Sequence, residues 1–447
     1  MRRPNSFSLP FFLLGLGSQL QIIASLSMTE AFALAAAPVL FFSELPYMRR
    51  NGIMPLFWLS LLVVFGCVIA CWANHTRFLF ALRGMATVCL MPCCIVVGHR
   101  MLRKDMNGFR WSILGGLLSG IVCIFVFQKQ VELTMLAKGE TVGANAVEAI
   151  VSGPIFWISR FSGFVRLPSV GWYLQCPIIY SVAAPLGIAA FAMLTTVSGR
   201  SAALGALGSA AMVLIGGKTQ RTMRRVSKYF FIWICFALIA VFAFKAGYQI
   251  AATQGLLGEK ALEKYEKQTR GNKSMMALLL GGRMESFCGL IACVDKPIIG
   301  FGPWAMDEDG YTGEFLRKYA HPEDYDLFLK NLANAQKRGE DWVMRLIPAH
   351  SIIVQFWLWY GIFGLLFWLY VIFILLRYLK QDCWAVPQWY FWLAAAIPSI
   401  FWGIFFSPFS DRFGGMLFYV AILLVRAVRR GRQPLPLNMI EEIEKTK

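Results

Sequence analysis

Between Ser351 and Leu376 the chain reads "SIIVQFWLWYGIFGLLFWLYVIFILL", without one formal charge. A hydrocarbon core about 30 Å thick is crossed by roughly 20 apolar residues in a helix, and only a helix or a closed barrel satisfies its own backbone there. Comparable runs recur at about 9–27, 29–47, 53–73, 78–98, 111–128, 176–197, 201–217, 229–249, 389–407 and 413–428. Of the 447 residues, 57% are hydrophobic and 15% charged, with a mean hydropathy of +0.57. No soluble fold of this length needs that much apolar surface. The chain reads as an all-α polytopic membrane protein.

Charge orients the runs. The net charge is +18, yet residues 251–349 carry 13 Lys/Arg against 14 Asp/Glu, so the excess lies elsewhere. It sits in short loops such as "MRRNG", "HRMLRKDMNGFR", "KTQRTMRRVSK" and "RYLKQD", and in the tail "RAVRRGRQ". The positive-inside rule assigns such loops to the cytoplasm, so the basic balance expresses topology and not nucleic-acid binding. Placing all of them inside requires one more crossing near 147–165, with Arg160 and Arg166 toward the cytoplasm; a re-entrant segment is the alternative there. The expectation is about twelve helices with both termini inside. Residues 1–249 would form an N-terminal bundle of about nine helices, 250–349 a large, partly helical outer-face (periplasmic) loop, and 350–447 a three-helix C-terminal segment with a basic tail. The N-terminal "MRRPNSFSLPFFLLGLGSQLQ" has a basic start and no convincing small-residue cleavage site, so it reads as a retained first helix.

The eleven cysteines lie mostly within apolar runs and show no zinc or redox spacing; a disulfide is open for Cys288 and Cys293 in the polar loop. A structureless loop of this length is uncommon unless it is functional. "GEKALEKYEKQTRGNK" reads as a charged surface helix, and "HPEDYDLFLKNLANAQKRGEDW" as one or two short helices. "RMESFCGLIACV" puts Met284, Phe287, Ile291 and Val294 on one helical face, suited to lying on the membrane domain.

Three positions at the expected outer face are able to carry chemistry. Arg200 in "TTVSGRSAALG" stands at a helix mouth, where an arginine also serves by reaching to the headgroups. Gly282 and Arg283 in "LLLGGRMESF" precede a helix, where flexible backbone, exposed amides and a guanidinium suit a phosphate; a solvated arginine in a turn is the plainer reading. His350 heads the long apolar run and is either a hydrogen-bonded anchor or a proton acceptor. Asp307 and Asp309 in "WAMDEDGY" form a D-x-D pattern, read as a metal site or as plain acidic surface. His75 and His99 sit beside arginines at helix ends and read as interface residues, while His321 starts a helix.

These pieces together resemble the O-antigen ligase family, which includes O-antigen polymerases and related bacterial polysaccharide enzymes. The resemblance rests on "TTVSGRSA", on "GGRMESFCGLIACVDKPIIGFGPW" with its G-x-R, helix and P-x-x-G-x-G turn, and on "HSIIVQFWLWYGIFG". It spans roughly 190–412; the first half matches only as a count of helices. Two departures stand out. Ser351 follows the histidine where the family usually has Asn, and Gly199 splits the Ser-Arg pair. Asp411 in "SPFSDRFGG" corresponds to an aspartate near the outer end of the penultimate helix in some members.

The resemblance implies a glycosyltransferase at the periplasmic face of a bacterial inner membrane. Its donor would be a glycan on undecaprenyl pyrophosphate and its acceptor a hydroxyl of lipid A-core or of another glycan. It implies His350, Arg283 and Arg200 as catalytic residues, with Arg200, Gly282, Arg283 and Asp411 binding pyrophosphate or acceptor, and no metal or other cofactor. A chain polymerase would use the same donor and similar residues. A twelve-helix transporter or flippase is the reading from another class; it expects broken helices and charges near the bilayer midplane. No internal repeat is visible, and the apolar runs are nearly free of charge, with Arg83 and Lys245 near their ends.

Overall fold

The structure is a computed structural model that describes residues 7–17, 21–23, 26–105, 284–319, 322–337, 346–349 and 351–377, with isolated positions within 111–118, 246–266 and 400–423. Among these residues it is α-helical, with one minute antiparallel pairing of β1 (Gln21–Ile23) and β2 (Leu26–Ser27). Among the described residues four helices are long and apolar enough to cross a membrane: α2 (Met28–Arg50), α3 (Met54–Ala73), α4 (Phe78–Lys104) and, after three shorter described ones, α8 (Ile352–Arg377). They match the runs expected at 29–47, 53–73, 78–98 and 351–376.

The first run is a correction. A single helix over 9–27 was expected, but α1 (Leu9–Gly17) is short. The hairpin follows and α2 starts afresh at Met28. The cause is local. Ser27 caps α2 through a capping box, its hydroxyl accepting from the Glu30 amide while Glu30 accepts from the Ser27 amide. That signal sets the start of α2 within one residue of the run expected at 29–47.

Short turns at 51–53 and 74–77 make α2, α3 and α4 alternate in direction, so α2 and α4 run parallel and both end in arginines. α8 runs antiparallel to α3. Gly66 lies beside Tyr360 and Phe363, while residues near the α3 end meet a segment bonded to Leu358 and Trp359. Sixteen residues separate Gly361 from Arg377 and Ala70 from Met54, about 24 Å of helix in each case. Arg377 therefore falls at the same end as Arg49, Arg50, Arg100 and Arg103.

Among the described residues three shorter helices immediately precede α8: α5 (Met284–Asp295), α6 (Tyr311–Tyr319) and α7 (Pro322–Lys337). Helical structure was expected over 284–294 and from 322, whereas α6 carried no clear sequence signal. The twelfth crossing at 147–165 lies outside the described residues, as do most of "GEKALEKYEKQTRGNK" and most of the other runs.

Candidate functional site

Arg200, Gly282, Arg283, His350 and Asp411 all lie outside the described residues, but the chain after Arg283 and on either side of His350 is informative. Met284 opens α5, and Gly289 stands about 7.5 Å further along it. A Cβ on Gly289 would lie 2.9 Å from the Pro348 carbonyl oxygen and 3.2 Å from both the Ala349 Cβ and the Val354 Cγ1. The helix that follows Arg283 thus packs on the residues bracketing His350. Only the missing side chain at Gly289 allows that approach.

The face of α5 that packs is not the one expected. Cys288, Gly289, Ala292 and Cys293 are buried, while Phe287, Ile291 and Val294 are exposed. Close helix contact favours small side chains, so the bulky stripe is turned outward. The two cysteines are free and point to different elements: the Cys288 thiol to Thr312 at 3.7 Å, the Cys293 thiol to the Val354 carbonyl at 3.6 Å. Burial pushes the Cys293 thiol up to about 12.

The turn after α5 is a strap. "DKPIIGFGPW" crosses α8 where that helix is broken at Gly361, whose φ of 62° and ψ of −149° are accessible essentially to glycine alone. The break frees backbone groups, and the strap takes them. The amides of Phe301 and Gly302 donate to the Leu358 and Trp359 carbonyls at 2.7 and 3.0 Å, and the Ile362 amide donates to the Ile298 carbonyl at 3.1 Å. The Trp357 indole adds a bond to the Pro297 carbonyl at 2.9 Å. The strap also meets the 74–77 turn: Asn74 donates to the Gly300 carbonyl and accepts from Lys296. Trp304 then stacks against Trp359 at 4.9 Å and Phe80 at 6.2 Å, with Arg83 over its ring at 4.8 Å.

Past the strap the chain turns back toward the head of α8. The Ile347 amide donates to the Ala305 carbonyl, and Met306 pairs with Leu346. Asp307 accepts from the Tyr311 and Thr312 amides at 2.6 and 2.8 Å, one bond per carboxylate oxygen, so half of the D-x-D pattern caps α6. Tyr311 donates to Asp295 at 2.7 Å; burial first, and then that carboxylate with Asp309 and Asp307, hold its phenol above the usual range.

Ser351, the departure from the family pattern, is buried and donates to the Ile404 carbonyl at 3.1 Å. In a helix that carbonyl would accept from residue 408, which is a proline without an N–H. The Ser351 hydroxyl supplies a bond that proline at 408 cannot.

A second polar cluster sits at the opposite end of the bundle. Glu44 is fully buried and accepts from His99 at 2.9 Å, from Arg100 at 2.8 Å and from Arg103 at 2.7 and 3.2 Å. The amide of Asn51 bonds the other His99 nitrogen at 2.9 Å, which a neutral ring protonated on Nδ1 satisfies at both positions. Arg103 also lies over Tyr47 at 3.8 Å. His99 is therefore a core link between α2 and α4, not the interface residue expected. Glu44 was not singled out in the sequence; its spacing before "MRR" was the available signal. No group of metal-binding side chains occurs among the described residues. Comparison of the chain with family models, with curated proteins and with solved structures finds no match.

Proposed function

We propose that this chain is a membrane glycosyltransferase of the O-antigen ligase type, acting at the periplasmic face of a bacterial inner membrane. The observation that carries the reading is the packing of separated motif segments into one unit. Gly289 of α5 lies on Pro348 and Ala349, and the P-x-x-G-x-G strap is hydrogen-bonded into the helix headed by "HSII". Chain connectivity then leaves Arg283 and His350 each one residue from elements that touch. The strap and the 74–77 turn share the end of the bundle opposite Arg50, Arg103 and Arg377, which the positive-inside rule makes the outer face.

In the proposed reaction an acceptor hydroxyl oxygen bonds to the anomeric carbon of the donor glycan as the bond to the pyrophosphate oxygen breaks. His350 takes the hydroxyl proton, and the lipid pyrophosphate leaves with its charge held by Arg200 and Arg283. Guanidinium suits this role because its fork matches two phosphate oxygens. Gly282 would let the backbone approach the phosphates, and Asp411 would meet the acceptor.

The broken helix at Gly361 is the feature a transporter would also show. Here the break lies level with the end of α3, and strap backbone occupies the groups it frees. That arrangement favours a fixed scaffold over an ion-coordinating break.

The test is mutation of Arg283→Ala and His350→Ala, each separately, in the producing strain. Surface glycan is expected to disappear while the protein stays folded in membranes; normal glycan in both would remove the catalytic assignment. In a deletion strain, long lipid-linked chains indicate a ligase and single lipid-linked repeats a polymerase.

A further inference from the structure

Arg83 is a charge on an exposed, largely apolar stripe of α4. Leu79, Leu82, Arg83 and Ala86 are all exposed at helical spacing on α4, whereas Gly84, Val88, Met91 and Ile95 form its buried side. Arg83 lies five residues inside the start of α4, about 7.5 Å from it, flanked by Phe78, Leu79 and Leu82 at 77%, 74% and 56% exposure. An ionised group on such a surface needs a counter-charge or polar partner. Among the described residues every ion pair is made by Glu44, at the other end of the helix, and none involves Arg83.

What Arg83 has is Trp304, whose ring lies 4.8 Å from the guanidinium and is itself packed against Trp359 and Phe80. The ring contact draws on the cation's charge and leaves its N–H donors for an oxygen acceptor. At the same end of the bundle Lys296 is exposed and anchored on Asn74.

We propose that Arg83 and Trp304 form a seat for the phosphate of a membrane phospholipid headgroup in the leaflet bordering the strap, with the acyl chains lying along Phe78, Leu79 and Leu82. The fork of Arg83 binds two phosphate oxygens, and Trp304 fixes the fork at headgroup depth. The seat is independent of the glycosyltransferase reading and stands or falls without it.

The test titrates the delipidated full chain in detergent with dioleoylphosphatidylglycerol and counts retained lipid by native mass spectrometry. Dioleoylglycerol, with the same tails and no phosphate, is the first comparison, and inorganic phosphate as a competitor is the second. Arg83→Gln is expected to need about fivefold more phosphatidylglycerol for equal retention, the size of one such contact. Arg77→Gln, on the neighbouring exposed arginine, should titrate like the parent. Arg83→Lys keeps the charge and loses the fork; it should fall between, and it keeps the comparison readable if the glutamine variant does not fold. Equal titration of the parent and both Arg83 variants overturns the seat, as does an equal loss in Arg77→Gln. Equal retention of dioleoylglycerol overturns phosphate recognition, and displacement by inorganic phosphate overturns the lipid as the source.

Discussion

Ser351 and Gly361 show how single positions in one apolar run acquire different duties. Removing the Ser351 hydroxyl takes away its bond to the carbonyl of buried Ile404, and proline at 408 has no N–H to replace it. Ser351→Ala should therefore cost about 1–3 kcal/mol, the range for a buried acceptor that loses its bond, read as a lower melting temperature in detergent. Asn at this position would also carry a donor, consistent with its use in the family that the chain resembles. Gly361 is more demanding. Any side chain there meets the Ile298 carbonyl and forces a glycine-only conformation on an L-residue. Gly361→Ala should cost roughly 2–4 kcal/mol of strain and lost strap bonds, and size-exclusion chromatography of the extracted protein should show loss of the monodisperse peak. If Gly361→Ala melts like the parent, the strap does not hold the break.

Between elements, the contacts are electrostatic at one end of the bundle and backbone-mediated at the other. Glu44 joins α2 to α4 through one carboxylate shared by His99, Arg100 and Arg103. Glu44→Gln leaves those cations without a counter-charge and should destabilise by about 3–5 kcal/mol, toward the lower figure because both arginines are partly exposed. Unfolding in denaturant by tryptophan fluorescence would measure it. At the α5–α6 contact, Tyr311 donates to Asp295 and its phenol titrates above the ordinary value near 10. A raised folded-state pKa means that this contribution is complete below the ordinary value and is lost as pH rises through the folded one. Tyr311→Phe should melt lower than the parent at pH 8, and the gap should close as the pH is raised above about 10. A gap that widens over that range would reverse the assignment.

For the whole molecule, the parallel course of α2 and α4 and the antiparallel course of α8 place the strap and the 74–77 turn at one end and the basic helix ends at the other. Alkaline phosphatase fused after His75 should be active, and fused after Asn51 inactive. The opposite pattern would invert the orientation and remove the outer-face site. The four described spans were legible in the sequence because lipid demands long uncharged runs. The course of 9–27 was less so: its apolar residues give no hint that α1 is short and that a strand pairing precedes α2.

The sequence by itself determined that this is a helical membrane chain and where four of its helices lie. Only the tertiary structure decided that α5 packs by its small-residue face, that the strap completes a broken α8, and that His99 belongs to a buried Glu44 cluster. Hydropathy and charge are properties of single residues, summed along the chain and readable from it. Close approach at Gly289, a carbonyl at Ile404 met by a hydroxyl from Ser351, and a carboxylate shared by three cations depend on which surfaces meet, and linear order does not contain that.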